Sequence, residues 1–173
     1  MMIKLIIMDV DGVLTDGRII LDDNGVEYKF FDVKDGHIFH IAFNFGIKIA
    51  LISGRYSKVT QIRAEQLGVE DVFQNQHNKM DAYRQLKGKY GIKDDEIAYI
   101  GDDVIDIPPM IACGFAACPA DAVEEVKKVS DYVSPFCGGR GAVRDIVELI
   151  FKKNGLWDRM MEKYLNPDKN GLL

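Results

Sequence analysis

Short apolar runs that end abruptly at polar or glycine residues constrain the fold of this chain most. Three such runs lie at 5–8, 47–52 and 97–100, and weaker ones lie at 72–73 and 115–117. Apolar runs of this length are typical of strands that are buried on both faces of a parallel sheet. Segments with helical periodicity separate them. This alternation predicts right-handed crossovers and an α/β fold with a doubly wound parallel sheet.

The helical segments have recognisable ends. Asn78 is suited to cap the start of the third predicted helix, because its side chain can accept hydrogen bonds from the first turn. A short helix is predicted around residues 122–126. The longer helices are predicted to end at glycines, which adopt the left-handed conformation of a helix C-cap: Gly46, Gly68, Gly91 and Gly155.

One segment breaks the alternation of strands and helices. Residues 18–21 and 26–32 flank the sequence Asp22-Asp23-Asn24-Gly25. An Asn-Gly pair between two such arms is a strong signal for a tight hairpin turn. We therefore predict a β-hairpin at about residues 17–32 that projects after the first strand.

The length of 173 residues suits one compact domain with a continuous core. We assign this domain to residues 1–155, because no repeat or linker divides them. Residues 156–173 form a C-terminal tail. Apolar residues at helical spacing predict a helix in its first part, and its polar end, 167–173, is expected to fray.

Composition excludes several classes of partner. With 22 Lys and Arg against 27 Asp and Glu, the formal net charge is −5, which argues against a broad basic surface for nucleic acid. No run approaches the roughly 20 apolar residues of a membrane helix. The three cysteines have no CxxC spacing and are expected to be reduced thiols in a cytosol. We expect a soluble, cytoplasmic protein that binds neither nucleic acid nor membranes.

Aspartates follow two of the predicted strands. Asp9 and Asp11 are two residues apart in an extended segment, so both carboxylates project to one side, and Asp102 follows another strand. In a parallel sheet, ligands bind beyond the carboxyl ends of the strands. Any one of these aspartates is explained by turn capping, but their convergence predicts a site of hard oxygen ligands for Mg²⁺, with Mn²⁺ or Co²⁺ as alternatives.

Two further residues fit an anion at the same edge. Ser53 precedes a helix, where its hydroxyl and the free backbone N–H groups suit a phosphate oxygen, although a plain helix cap is the alternative. Lys79 lies in the first turn of the helix capped by Asn78. There the helix dipole disfavours a cation by about 0.3–1 kcal/mol, which favours an anionic partner, although a solvated surface lysine is the alternative.

Taken in order, these motifs resemble the haloacid dehalogenase superfamily of phosphotransferases, which has a Rossmann-like fold. The motifs are Asp9-Val10-Asp11-Gly12-Val13, then Ser53, then Lys79, then residues 101–106. The resemblance implies that Asp9 is the nucleophile and forms an aspartyl-phosphate, and that Asp11 is the general acid and base. It implies further that Asp9, Asp11 and Asp102 bind the metal ion while Ser53 and Lys79 hold the phosphoryl group.

Many members of this superfamily carry a large cap domain over the site. The interval between Asp9 and Ser53 is filled by the hairpin and a helix, and the interval between Ser53 and Lys79 has room for a helix and a strand only. We therefore predict no cap domain. Because water must still be excluded from the site, another subunit is expected to cover it, with the hairpin as the contact surface.

Longer stretches resemble the 3-deoxy-D-manno-octulosonate 8-phosphate phosphatase family. They lie at residues 9–17, 32–36, 53–55, 101–106 and 138–144. The resemblance implies hydrolysis of that sugar-acid phosphate to 3-deoxy-D-manno-octulosonate (Kdo) and phosphate in lipopolysaccharide precursor synthesis. It also implies a homotetramer whose hairpins form a central barrel, with the segment around Arg140 reaching a neighbour's site.

The resemblance also implies a set of residues around the substrate. An acidic sugar needs cations besides those for its phosphate, and arginine can clamp a carboxylate with two parallel hydrogen bonds. Relatives often have an arginine where this chain has His40. For Lys34 and Arg63, solvated surface charge is the alternative. The predicted substrate-binding residues are Asp11, Asp32, Val33, Lys34, Asp35, Gly36, His40, Arg55, Arg63, Lys79 and Arg140.

Three other functions stay open at this point. A phosphatase for another acidic sugar phosphate, such as a sialic acid 9-phosphate, needs the same groups. A phospho-acceptor signalling domain also combines aspartates, Mg²⁺ and a lysine on an α/β sheet, but there the accepting aspartate follows an interior strand rather than the first. A non-catalytic relative of the enzyme is disfavoured because all the signature residues are present.

Overall fold

A computed structural model describes residues 2–166 of the chain. Eight strands and seven α-helices lie in this part. The strands are β1 (Leu5–Met8), β2 (Ile20–Leu21), β3 (Glu27–Tyr28), β4 (Lys48–Ile52), β5 (Asp71–Phe73), β6 (Ile97–Ile100), β7 (Phe115–Cys118) and β8 (Tyr132–Val133). The helices are α1 (Val33–Asn44), α2 (Lys58–Leu67), α3 (Lys79–Tyr90), α4 (Ile107–Ala112), α5 (Glu124–Val129), α6 (Ala142–Lys153) and α7 (Trp157–Leu165).

Six strands form one parallel sheet in the order β5-β4-β1-β6-β7-β8. The first strand lies in the middle, where Met8 is in register with Leu51 of β4 and Ile100 of β6. The chain winds outward from β1 to β5, returns, and winds outward on the other side from β6. The predicted doubly wound α/β fold is confirmed, and the order of strands reverses between β1 and β6, where ligands bind in sheets of this kind.

The two faces of the sheet bury separate apolar cores. Ile6 and Met8 of β1 face a core formed with α1, α2, α6 and α7, whereas Leu5 and Ile7 face a core formed with α3, α4 and α5. Successive residues of a strand point to opposite faces, so a run with no polar residue is what a sheet covered on both sides requires. This explains the apolar runs in the sequence.

The predicted hairpin is present but shorter than its sequence pattern. Ile20 pairs with Tyr28 and Leu21 with Glu27 in an antiparallel ladder. The Asp22 carboxylate closes the turn by accepting hydrogen bonds from the backbone of Asn24 at 2.9 Å and Val26 at 2.8 Å. A two-stranded ribbon of this size needs further packing to be stable. Its apolar side chains are largely exposed, among them Ile19, Leu21, Tyr28 and Phe30.

Three elements were missed or placed imprecisely by the sequence patterns. Strand β8 has two residues, too few for a recognisable run. Helix α4 begins with Pro108 and Pro109 in its first turn, where proline needs no hydrogen-bond donor. Helix α5 starts at Glu124 rather than near Ala122.

The start of the C-terminal tail packs on the domain. Met160 of α7 is buried in the core beside α1 and α6. The side chains of Arg159 and Lys163 lie over the ring of Phe45. The division of the chain at residue 155 stays a prediction, and the predicted frayed end, 167–173, lies outside the described residues. Within residues 2–166, no helix is both long and apolar enough to cross a membrane.

Candidate active site

Asp9 lies at the point where the strand order reverses. It follows β1 directly, and its backbone N–H donates to the carbonyl of Ile100, the last residue of β6, at 3.0 Å. Its carboxylate accepts a hydrogen bond from the backbone of Val10 at 2.7 Å and is almost fully buried. The side chain is therefore fixed between the two central strands.

A tight turn after Asp9 packs against Asp102, which follows β6. The backbone N–H groups of Val13, Leu14 and Thr15 all donate to the carbonyl of Val10. Within this turn Gly12 has a φ of +89°, and a Cβ built on it would overlap the Asp102 carboxylate. Only glycine tolerates both the positive φ and the close approach of Asp102. This explains the glycine in the motif Asp9-Val10-Asp11-Gly12-Val13.

Lys79 provides the positive charge beside Asp9. Its side chain is fully buried, and its ammonium lies 2.8 Å from Asp9 Oδ2 and 2.7 Å from Asp106 Oδ1. Burial alone would lower the pKa of Lys79, but the carboxylates of Asp9 and Asp106 outweigh it, and the pKa is raised. A lysine at this unfavourable helix position thus has two anionic partners within the protein.

Asp106 is a site residue that the predicted set omits, although it stands in the 101–106 motif. Its Oδ1 accepts hydrogen bonds from Lys79 and from the hydroxyl of Tyr99, each at 2.7 Å. Its Oδ2 accepts from the backbone of Asp102 at 3.3 Å and Asp103 at 3.4 Å. It therefore holds both Lys79 and the segment that carries Asp102. Sequence spacing alone does not distinguish this role from a helix cap.

The carboxylates of Asp9, Asp102 and Asp106 offer oxygen atoms that all lie within 4.8 Å of one another. Burial, followed by the charge of Asp106, raises the pKa of Asp9 to about 7. Burial and the charges of Asp9 and Asp106 raise the pKa of Asp102 to about 8. Asp102 Oδ1 is buried and has no hydrogen-bond partner among the described residues. An unpaired oxygen amid crowded carboxylates fits a hard divalent cation.

The Asp11 carboxylate does not join this group. It forms an ion pair with Lys29, and its Oδ2 lies 3.8 Å from a guanidinium nitrogen of Arg55. The Asp11 side chain therefore lies apart from the oxygen atoms of Asp9, Asp102 and Asp106, and the predicted metal contact of Asp11 stays a prediction. Because the Asp11 side chain turns toward the hairpin, two carboxylates of the predicted metal set, not three, lie together.

Lys29 and Glu27 of the hairpin were missed by the sequence analysis. Glu27 accepts hydrogen bonds from Arg55 at 3.1 Å and from the hydroxyl of Ser57 at 2.5 Å. Lys29 has its side chain almost fully buried between Asp11 and Glu27. Charged residues in a hairpin arm normally indicate a solvated edge, so no sequence signal marks them as site residues.

A cleft of about 250 Å³ opens above the buried carboxylates. Ser53 lies at its wall, held by a hydrogen bond from its backbone N–H to the carbonyl of Phe73 at 2.8 Å, and its Oγ accepts from the backbone of Arg55 at 3.3 Å. The cleft brings most of the predicted catalytic and metal-binding residues together. It is lined by Asp9, Asp11, Gly17, Ser53, Gly54, Arg55, Asp102, Asp103 and Ile105.

The predicted substrate-binding segment 32–36 lies outside the cleft of its own chain. Asp32 is the N-cap of α1, and its carboxylate accepts from the backbone of Lys34 at 2.6 Å, so the segment is a helix cap and the first helical turn. Asp35 is buried and accepts from the backbone of Gly141 at 3.2 Å and Arg144 at 2.7 Å. Burial raises its pKa to about 6. Within this chain Asp35 is a cap for α6 and does not line the cleft.

His40, Arg63 and Arg140 also lie outside the cleft of their own chain, whereas Asp11 and Arg55 line it. The Arg63 guanidinium packs against Gly36, where a Cβ would meet it at 2.5 Å, and over the ring of Phe31. Lys34, Asp32 and Arg140 line a second cavity of about 270 Å³, together with Phe136, Gly141, Arg144, Asp145 and Glu148. Val33 and His40 are exposed on α1 and line neither cavity.

Comparison with known proteins gives a consistent result. Residues 47–143 match the family described as haloacid dehalogenase-like hydrolase. The chain is 41% identical over 156 residues to the 3-deoxy-D-manno-octulosonate 8-phosphate phosphatase of Escherichia coli K12, covering 90% of this chain and 83% of that protein.

Solved structures of phosphatases are also similar to this chain. The Moraxella catarrhalis 3-deoxy-D-manno-octulosonate 8-phosphate phosphatase, a complex with magnesium, phosphate and KDO, superposes with a TM-score of 0.91 and 40% identity, covering 94% of this chain and 93% of that one. The cobalt-bound phosphatase of Haemophilus influenzae superposes with a TM-score of 0.86 and 38% identity, covering 90% and 91%.

Proposed function

Because the chain belongs to the haloacid dehalogenase-like hydrolases, within the 3-deoxy-D-manno-octulosonate 8-phosphate phosphatase family, we propose that its aspartate cluster carries out the hydrolysis of this phosphate ester. The protein is a phosphoric monoester hydrolase that converts 3-deoxy-D-manno-octulosonate 8-phosphate to Kdo and phosphate. Its place is in the synthesis of lipopolysaccharide precursors.

One observation supports this assignment above the others. Three side chains from separate strand ends or helix starts, Asp9, Lys79 and Asp102, meet below a cleft large enough for a phosphoryl group. Simple turn capping does not require them to converge. The arrangement combines a carboxylate nucleophile, a cation and a metal-binding group at one place.

Asp9 acts as the nucleophile. One of its carboxylate oxygens forms a bond to phosphorus while the bond between phosphorus and the sugar oxygen breaks, which gives an aspartyl-phosphate. Lys79 holds Asp9 Oδ2 at 2.8 Å, the backbone N–H of Val10 donates to Oδ1 at 2.7 Å, and Asp9 lines the cleft. Lys79 and the Ser53 hydroxyl stabilise charge on the phosphoryl oxygens.

Asp11 transfers the protons. In its protonated form it gives a proton to the departing sugar oxygen, and as a carboxylate it then takes a proton from the water that attacks the aspartyl-phosphate. Attack of this water releases phosphate and restores the Asp9 carboxylate. Asp11 donates a proton in the first half-reaction and accepts one in the second, so it returns to its starting protonation state.

Asp9 and Asp102 are suited to bind the Mg²⁺ ion, with the main-chain carbonyl of Asp11 as a further ligand. Mn²⁺ and Co²⁺ suit the same oxygen ligands. When bound, the ion neutralises charge on the carboxylates and on the phosphoryl oxygens. Asp106 keeps Lys79 and the backbone of Asp102 in place for this site.

The sugar-acid carboxylate lies beside Arg55, whose guanidinium is at the rim of the cleft and half-exposed. Apart from Asp11 and Lys79, which belong to the catalytic group, the remaining predicted substrate-binding residues lie outside the cleft of their own chain. For them to serve the substrate, they must act on the site of a neighbouring subunit. We assign this role to residues 32–34, His40, Arg63 and Arg140.

A homotetramer supplies such neighbours. The exposed apolar residues of the hairpin, among them Leu21 and Phe30, give a surface on which copies of the chain can pack. Because the chain has no cap domain, the neighbouring subunits cover the cleft. Residues 1–155 form the catalytic domain with 156–173 as its tail, and the enzyme acts in the cytoplasm.

Phosphate release from a panel of sugar phosphates tests the substrate. We expect fast release from 3-deoxy-D-manno-octulosonate 8-phosphate, slower release from a sialic acid 9-phosphate, and little from glucose 6-phosphate, because the last has no carboxylate for Arg55. A chelator should abolish the activity and added Mg²⁺ should restore it. Comparable rates on neutral hexose phosphates would overturn the assignment of the substrate.

A further inference from the structure

The Asp11 side chain is held by a residue of the hairpin and not by a residue of the sheet. Its side chain forms an ion pair with the ammonium of Lys29, which follows β3 in the chain. The Lys29 side chain is 1% exposed, although the hairpin around it is largely in contact with solvent. A lysine normally keeps its charged end in water, so this burial has to be offset by a specific partner.

The position of Lys29 is fixed from a second side. Its ammonium is 3.9 Å from Glu27, and Glu27 is itself held by Arg55 at 3.1 Å and by Ser57 at 2.5 Å. Ser57 caps the start of α2, so Glu27 joins the hairpin to a helix of the domain. Lys29 therefore approaches Asp11 from a fixed direction.

This contact occupies only one oxygen of the Asp11 carboxylate. Lys29 donates to Oδ1, whereas Oδ2 is 3.8 Å from Arg55, which is beyond hydrogen-bond distance. Within residues 2–166 no donor lies at hydrogen-bond distance from Oδ2, and Asp11 lines the cleft. One oxygen is anchored and the other is left for a reacting group.

We propose that Lys29 is a positioning residue for proton transfer: it anchors Oδ1 of Asp11 so that Oδ2 faces the leaving oxygen of the substrate. This inference rests on the proposed function, in which Asp11 is the general acid and base. A general acid must hold its proton within hydrogen-bond distance of the leaving oxygen, and a carboxylate that rotates freely loses that geometry.

The choice of leaving group distinguishes a role of Lys29 in proton transfer from a merely structural role. A sugar alkoxide is a poor leaving group and needs the proton from Asp11. The p-nitrophenolate ion departs without one. Loss of proton transfer to the leaving group should therefore slow release of the sugar in the first turnover and leave release of p-nitrophenolate in the first turnover nearly unchanged. The later attack of water on the aspartyl-phosphate is common to both substrates, so the comparison is made on the first turnover.

The experiment compares the rate of leaving-group release in the first turnover, by rapid quench for the sugar phosphate and by stopped flow for p-nitrophenolate, for Lys29→Met, with Lys29→Gln as a second variant should the first not fold. We expect a fall of about 10²-fold on the sugar phosphate and less than about threefold on p-nitrophenyl phosphate, as for loss of general acid catalysis. Lys29→Arg should restore part of the loss. Asp11→Asn should show the same selectivity, and adding Lys29→Met to it should have little further effect.

Lys87→Met is the matched control, because Lys87 also forms an ion pair with an aspartate, Asp94 at 2.5 Å, but lies away from the cleft. It should leave both activities unchanged. Equal losses of Lys29→Met on both substrates, or no loss, would overturn the role of Lys29. Should the wild type not hydrolyse 3-deoxy-D-manno-octulosonate 8-phosphate, the proposed substrate is wrong, and the same comparison on any alkyl phosphate that it does hydrolyse still decides the role of Lys29.

Discussion

The carboxylates of Asp9, Asp102 and Asp106 lie close together, and the ammonium of Lys79 contacts two of them, Asp9 and Asp106. Burial and mutual repulsion raise the pKa of Asp9 to about 7 and that of Asp102 to about 8. In the metal-free protein these two groups therefore bind protons in the neutral range. A metal ion has to displace these protons before it can bind.

Mg²⁺ binding should consequently depend on pH. As the pH falls from 8 to 6, Asp9 and Asp102 become protonated, so the affinity for Mg²⁺ should fall by about tenfold per pH unit for each displaced proton. Isothermal titration calorimetry in buffers of different ionisation enthalpy measures both the affinity and the number of protons released. An affinity that is constant between pH 6 and 8 would contradict the raised pKa values.

Gly12 links the turn after β1 to the metal-binding group. We predict that Gly12→Ala lowers both stability and Mg²⁺ affinity, because the new methyl group overlaps the Asp102 carboxylate. Gly25→Ala is the matched control: Gly25 has a φ of +76° but no atom within 4 Å of the added Cβ. It should cost about 1–2 kcal/mol from backbone strain alone.

Thermal unfolding and calorimetric Mg²⁺ titration distinguish the two variants. Gly25→Ala should bind Mg²⁺ like the wild type, whereas Gly12→Ala should bind it more weakly. Equal Mg²⁺ affinity in both variants would show that the contact between Gly12 and Asp102 is not needed for the site.

At the scale of elements, the sequence predicts best those features that follow from local chemistry. The apolar run at 5–8 matches β1, and the caps Asn78 and Gly91 bound α3 where the pattern places them. The turn at Asp22 is correct, but the hairpin arms pair over only two residues each. Pairing length depends on packing partners that a single arm does not encode.

Contacts between distant elements explain most of what the sequence could not predict. Asp35 appears in a motif shared with a phosphatase family, yet its carboxylate holds the start of α6, more than a hundred residues away. Nothing in the sequence near Asp35 encodes that contact. Lys29 was missed for the same reason, since its partner Asp11 lies on another element.

Asp35→Ala should therefore act on stability. The substitution leaves the backbone N–H groups of Gly141 and Arg144 without their partner, which should lower the free energy of unfolding by about 1–3 kcal/mol. Denaturant unfolding measures this change, with Asp23→Ala, at an exposed turn position, as the control. A raised KM without loss of stability would instead support a direct role of Asp35 at the substrate.

At the scale of the whole molecule, the cleft lies open above the carboxylates, and the cations predicted for the sugar acid are divided between two surfaces. Arg55 lies at the cleft, whereas Arg140 and Lys34 line a separate cavity. A single chain therefore brings part of the predicted substrate set together. Assembly of several copies is the simplest way to complete it.

Sedimentation velocity tests this assembly. We expect a homotetramer for the wild type and smaller species for Leu21→Asp, which places a charge on the exposed apolar face of the hairpin. The dissociated variant should lose activity on the sugar acid because its cleft is uncovered. Ile111→Asp, at an exposed apolar residue on α4, serves as the control and should stay assembled. A wild-type monomer that is stable and fully active would contradict the shared site.

The central claim is that Asp9 attacks the phosphorus atom, and one substitution tests it most directly. Asp9→Asn keeps the shape of the side chain and removes the nucleophilic charge, so the folded variant should release no measurable phosphate from 3-deoxy-D-manno-octulosonate 8-phosphate under conditions in which the wild type is fully active. Circular dichroism confirms that the variant is folded. Phosphate release by folded Asp9→Asn at a rate near that of the wild type would contradict the account.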